Sequence, residues 1–125
     1  MDDLAEVALG GRMHSQSLVL RGRLPEREWK RFLTACVAAI GMTPFAEPVV
    51  WRYPQDEKYA GGLIFVQPIM ESFVALDTWP NHDGAYLFIA SCREFKTVQV
   101  MEVVRQFGLL LDVEASHAPI TLRIA

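Results

Sequence analysis

Glu71 and Ser72 adjoin at the head of the strand-like run Phe73-Val74-Ala75-Leu76-Asp77-Thr78-Trp79-Pro80, and Cys92 follows further along. A serine hydroxyl can attack the carbonyl of the residue before it and convert that amide to an ester. Elimination then breaks the chain and leaves dehydroalanine, which becomes a pyruvoyl group as ammonia is lost. At this bond the products are chain 1–71 and a second chain whose blocked start derives from Ser72. The ketone can condense with a substrate amine, and the adjoining amide carbonyl takes up electrons as carbon dioxide departs. Such chemistry needs an oriented scissile peptide, oxyanion donors, a nearby acid or base, and a proton donor for the carbanion.

The elements that must hold these residues are legible from period and punctuation. Ser15 to Arg21 is a short strand through Leu18, Val19 and Leu20. Trp29, Phe32, Leu33, Cys36, Val37 and Ile40 recur at the spacing of one helix face, with Arg27, Lys30 and Arg31 off it. Pro25 suits the first turn of that helix and Gly41 its stop. Val49 to Tyr53 reads as a strand, and Pro54 to Lys58 as a polar loop. Leu63 to Val66 is strand-like, with Pro68 marking an edge or a bulge just before the Glu-Ser bond. Asn81-His82-Asp83-Gly84 is turn chemistry leading into Ala85–Cys92, a strand rich in Tyr86, Leu87, Phe88 and Ile89. Val100, Met101, Val104 and Phe107 outline a second helix ending near Gly108. His117 to Ile124 alternates as a closing strand, with Ile120, Leu122 and Ile124 inward.

This order predicts an α+β fold: a two-layer sandwich, mainly antiparallel, with two amphipathic helices on one face of the sheet. The other face meets water or a second copy. Apolar residues on both parities of 85–92 favour burial on both faces, hence a homodimer. Residues 1–13, with Gly10-Gly11, read as a flexible arm and 14–125 as a single domain.

Of the 125 residues 51% are hydrophobic and 22% charged, an ordinary globular mixture. The net charge of −3 comes with no Lys/Arg stripe, which argues against a nucleic-acid binder. No apolar run is long enough to cross a bilayer, and the acidic start lacks the basic flank of a signal peptide, so a cytoplasmic protein without membrane contact is expected. Cys36 and Cys92 then read as two reduced thiols, Cys36 packed on the buried helix stripe. No Cys/His spacing suits a metal, and His14, His82 and His117 stand singly.

In Glu71-Ser72, Thr78-Trp79-Pro80 and Cys92 the chain resembles the bacterial S-adenosylmethionine decarboxylases, whose product feeds spermidine synthesis. The family pattern is Glu-Ser-His, three residues, His-Thr-Trp-Pro-Glu, then a turn and a strand ending in cysteine. The resemblance implies an α/β sandwich over roughly residues 13–125 and self-processing at Glu71-Ser72. It also implies a pyruvoyl cofactor derived from Ser72, Cys92 as proton donor in decarboxylation, and a small-molecule amino acid substrate, S-adenosylmethionine or another.

The departures from the pattern are specific. Asp77 stands where the family has its processing histidine, Phe73 where it has the histidine after the serine, and Asn81 where it has the acidic residue used on the substrate ribose. The upstream serine that assists cleavage has no counterpart in residues 60–69. Asp77 can substitute as a processing group, though an ionised carboxylate is a poor donor. It can equally be the partner of an arginine such as Arg52 or Arg93, because an unpaired buried carboxylate is costly. Ser72 and Asp77 are five apart, so a regular strand directs them to opposite faces. Trp79 and Pro80 read as shape-setting, and Phe65, Phe73, Tyr86 and Phe88 as core or dimer contacts before an adenine platform. The alternative to a lyase is an unprocessed, inactive paralogue acting as a ligand-binding or regulatory dimer, or a purely structural dimerisation domain.

Overall fold

The computed structural model describes residues 12–55 and 61–121. The chain runs β1 (Arg12–Arg21), α1 (Glu26–Ala39), β2 (Val49–Arg52), β3 (Leu63–Ile69), β4 (Ser72–Trp79), a 3-10 turn (Pro80–His82), β5 (Gly84–Ser91), α2 (Thr97–Gln106) and β6 (Leu110–Thr121). The strands form one sheet in the order β2-β3-β4-β5-β1-β6, and every pairing is antiparallel. This is the two-helix, antiparallel sandwich that the sequence pattern predicts.

Pro25 is the N-cap of α1 rather than a residue within its first turn, and its carbonyl accepts from the amides of Glu28 and Trp29. Glu26 and Glu28 sit where the helix dipole favours negative charge. At the other end Gly41, with φ 69°, takes the left-handed conformation that stops a helix. Trp29, Phe32, Leu33, Cys36 and Val37 of α1 and Val100, Val103 and Val104 of α2 are buried. They pack on Leu18, Leu20, Phe65, Val74, Leu76, Leu87 and Ile89, one parity of the central strands, to make the core. Phe32 of α1 meets Phe107, just after α2, edge to face at 5.5 Å. Burial pushes the Cys36 thiol pKa far up, so it stays protonated and acts as a small apolar side chain.

The opposite sheet face carries no helix among the described residues. Trp51, Ile64, Asp77 and Tyr86 lie in register across β2, β3, β4 and β5. On that face Val49, Trp51, Phe73, Trp79 and Val113 are exposed. Phe65 belongs to the core, whereas Phe73 and Phe88 lie 6.0 Å apart on the open face.

Two expected bounds change, and other expectations fall on residues that are not described. The closing strand starts at Leu110, not at His117, because Leu110 pairs with Arg21 and the ladder runs on to Arg12 and Thr121. Its start is an edge strand with Leu110, Asp112, Val113 and Glu114 exposed, so burial leaves little apolar alternation to read there. The inward placements of Leu122 and Ile124 lie outside the described residues, as do 56–58 of the polar loop. The arm expected over 1–13 also lies outside them as far as residue 11, while Arg12 and Met13 already belong to β1.

Candidate active site

Glu71 and Ser72 sit at the tip of the β3–β4 hairpin. Ile69 pairs with Ser72, leaving Met70-Glu71 as a two-residue connection. Such tight hairpins match the twist of their strands with glycine or asparagine at positive φ. Neither Met70 nor Glu71 supplies this, and Ser72 carries the unusual geometry, at φ 152°. Among the described non-glycine residues only Asp83 shares a positive φ. Backbone strain of this kind costs on the order of 1–3 kcal/mol and persists only where the surroundings fix it.

Those surroundings are visible on both sides of the hairpin. Ser72 pairs with Ser91 in β5, and the amide of Cys92 donates to the Glu71 carbonyl oxygen at 2.9 Å. That carbonyl is the group a Ser72 hydroxyl must attack. The chain beyond β5 is fixed in turn. The fully buried Ser91 Oγ accepts from the Arg93 amide at 2.9 Å, and the Arg93 guanidinium donates to the Gly41 carbonyl at 2.6 Å. Cys92 itself is exposed with a free thiol.

On the far side, residues 43–46 run along the end of β3 beyond the reach of β2. Pro44 bridges to Ile69, the Phe45 amide donates to Pro68 O at 3.4 Å, and Gln67 Nε2 donates to Ala46 O at 2.8 Å. Because N and O of one strand residue face the same edge, the amide that Pro68 lacks faces this strap and not β4. Pro68 is therefore an edge residue, as its type requires. The Met70 amide donates to Thr43 O at 2.8 Å, and Thr43 N–H donates to Glu71 Oε1 at 3.1 Å.

Asp77 lies elsewhere. β4 pairs with β5 without a register break from Ser72 to Trp79, so parity holds and five residues at strand rise separate Ser72 and Asp77 by about 17 Å. Its carboxylate meets neither arginine considered above: Arg52 pairs with Glu26 and Arg93 with Gly41 O. Instead Tyr53 Oη donates to Asp77 Oδ2 at 3.4 Å, and the buried Oδ1 has no hydrogen-bond partner among the described residues. Partial burial, then the Asp77 charge and hydrogen bond, raise the Tyr53 pKa above its ordinary value.

Thr78, Trp79 and Pro80 shape the other end of β4. The buried Thr78 Oγ1 accepts from Leu63 N–H at 2.8 Å, while Trp79 stacks on Tyr86 with centroids 6.4 Å apart and Pro80 opens the 3-10 turn.

Of the residues singled out from sequence, the fold brings Glu71, Ser72 and Cys92 together and leaves Asp77 apart. The Cys92 main chain and the Thr43–Ala46 strap were not anticipated. A helix-stopping Gly41 followed by Thr43-Pro44 signals a pinned extended segment. Nothing local reveals that it lies against residue 71. No described helix is long and apolar enough to cross a membrane.

A search of curated proteins gave no match. Among solved structures the fold is similar to the adenosylmethionine decarboxylase from Aquifex aeolicus VF5, with a TM-score of 0.63 and 16% identity over 92% of each chain. The family model for S-adenosylmethionine decarboxylase matches residues 25–115, which include the hairpin, Cys92 and both helices, and the chain belongs to that family.

Proposed function

We propose that this chain cleaves itself between Glu71 and Ser72 and acts as a pyruvoyl-dependent amino acid decarboxylase of polyamine (spermidine) biosynthesis. The observation that carries the reading is the Cys92 amide held on the Glu71 carbonyl beside a strained Ser72. As Ser72 Oγ attacks that carbon, negative charge grows on the carbonyl oxygen, and a fixed backbone donor stabilises it most in that state. Collapse breaks the peptide bond and leaves Glu71 esterified to Ser72. Elimination then releases the Glu71 carboxylate, and hydrolysis with loss of ammonia leaves the blocked start.

These residues fit the pyruvoyl group: its precursor serine heads a central strand, and an exposed thiol follows the neighbouring one. When present, the group supplies the electron sink for loss of carbon dioxide. Ser72 holds its place by pairing with Ser91, and the Cys92 thiol is the group we assign to returning a proton to the substrate carbon. The substrate is S-adenosylmethionine or another amino acid. We further propose a cytoplasmic homodimer joined through the open sheet face, because Trp51, at 52% exposure, Val49 and Trp79 leave an apolar surface there.

One observation favours a second reading. Asp77 is remote from its own Ser72, and the position after Ser72 is Phe73, so no imidazole adjoins the bond within that segment. An uncut paralogue acting as a ligand-binding or regulatory dimer accommodates this. Release of labelled carbon dioxide from S-adenosylmethionine, arginine and ornithine tests the first reading. Turnover of one of them, abolished by Ser72→Ala, is the expected result; a cleaved chain inactive on all three contradicts the substrate class, and an uncut, inactive chain favours the second reading.

A further inference from the structure

We propose that the Glu71 side chain is a positioning residue for the self-cleavage, a role that rests on the processing reading above. Its carboxylate latches the hairpin tip to the strap that follows α1. Three features combine at this point. The strap is anchored at its start, where Gly41 ends the helix and its carbonyl accepts from Arg93. It is anchored along its length by the Phe45–Pro68 and Gln67–Ala46 bonds. Pro44 biases Thr43 to an extended backbone, which aims the Thr43 amide and carbonyl sideways at the hairpin.

The tip then receives two bonds from one residue, Met70 N–H to Thr43 O and Thr43 N–H to Glu71 Oε1. Only the second fixes residue 71 itself. With Cys92 N–H on the Glu71 carbonyl, the acyl half of the scissile peptide is held from both sides: its side chain by the strap and its oxygen by the β5 end. A tip released from the strap can relax at Ser72, whose φ is 152°, toward ordinary strand geometry. The latch needs an acceptor oxygen and not a charge, so glutamine can replace glutamate while alanine cannot.

The test compares the full-length wild type with Glu71→Gln and Glu71→Ala, following cleavage by intact mass. In parallel, hydrogen exchange of the Thr43 amide is read in the uncut Ser72→Ala background. The expected result is cleavage slowed about tenfold by alanine and held near wild type by glutamine, with Thr43 exchange accelerated about tenfold by alanine alone. Alanine cleaving at the wild-type rate overturns the latch and leaves the processing reading intact. Glutamine as slow as alanine overturns positioning in favour of proton transfer by the carboxylate. A wild-type chain that stays whole overturns the processing reading and this role with it, whatever Thr43 exchange reports about the bond.

Discussion

The backbone amide of Cys92 donates to the carbonyl oxygen of Glu71 across the gap between the end of β5 and the β3–β4 hairpin, at 2.9 Å. Cys92 thus has two separable parts, a main-chain donor on the carbonyl of the proposed scissile bond and a free thiol on an exposed residue. Removing the thiol should spare cleavage, whereas removing the amide should not. Cys92→Ala is expected to self-cleave within a few-fold of wild type and to lose about 100-fold or more in decarboxylation. Cys92→Pro is expected to slow cleavage by about 100-fold, the effect of losing one oxyanion donor, with thermal unfolding measured alongside to establish that it folds. Equal cleavage rates in both variants would contradict the assignment.

Cleavage at the hairpin tip removes one covalent link and the Ser72 amide, but leaves the rest of the strand pairing in place. β3 remains paired with β4 from Ile64–Asp77 to Pro68–Phe73, and β4 remains paired with β5 from Phe73–Ala90 to Trp79–Gly84. The two fragments should therefore elute together in native size-exclusion chromatography and separate only under denaturing conditions. Dissociation of the fragments without denaturant would show that the tip connection holds the sheet together.

Thr78 Oγ1 is buried and serves both main-chain groups of Leu63, accepting at 2.8 Å and reaching its carbonyl at 3.3 Å. Thr78→Val keeps the shape and removes the hydroxyl, leaving those groups without their partner. Stability is expected to fall by about 1–3 kcal/mol, read as a lower urea midpoint at unchanged slope. An unchanged midpoint would mean that another group or water takes over.

Asp77 raises the pKa of Tyr53, after the larger effect of partial burial. In Asp77→Asn, phenolate absorbance near 295 nm should therefore begin to rise at lower pH than in wild type. Tyr53 holds its proton more tightly folded than unfolded. Its contribution to stability is accordingly complete below the ordinary tyrosine value and fades as pH rises through the folded one. Identical titration curves would place Tyr53 away from Asp77 in solution.

Much of this was written in the sequence, though unevenly. Amphipathic spacing in Trp29–Ile40 and Val100–Phe107 marks both helices because each buries one face on the same sheet. Asn81–Gly84 marks its turn because Asp83 there takes φ 48° and Gly84 follows. The hairpin at Met70-Glu71 carries no glycine or asparagine, so its turn is silent; the unusual backbone falls on Ser72, where serine is no signal of it. Glu71, Ser72 and Cys92 are legible as chemistry by their types, but their meeting depends on the β4–β5 register, a long-range property. Parity did foretell that Ser72 and Asp77 stay apart. The Tyr53 partner of Asp77 and the Thr43 partner of Glu71 come from loops whose positions local pattern does not encode.

In the proposed processing the strained, doubly held Glu71-Ser72 bond breaks by itself. Intact mass spectrometry of the purified chain after prolonged incubation tests it most directly. Two fragments that join at Glu71/Ser72 are expected, the second with a blocked start, together with a single intact species for Ser72→Ala. A wild-type chain that remains whole at 14.1 kDa would contradict it.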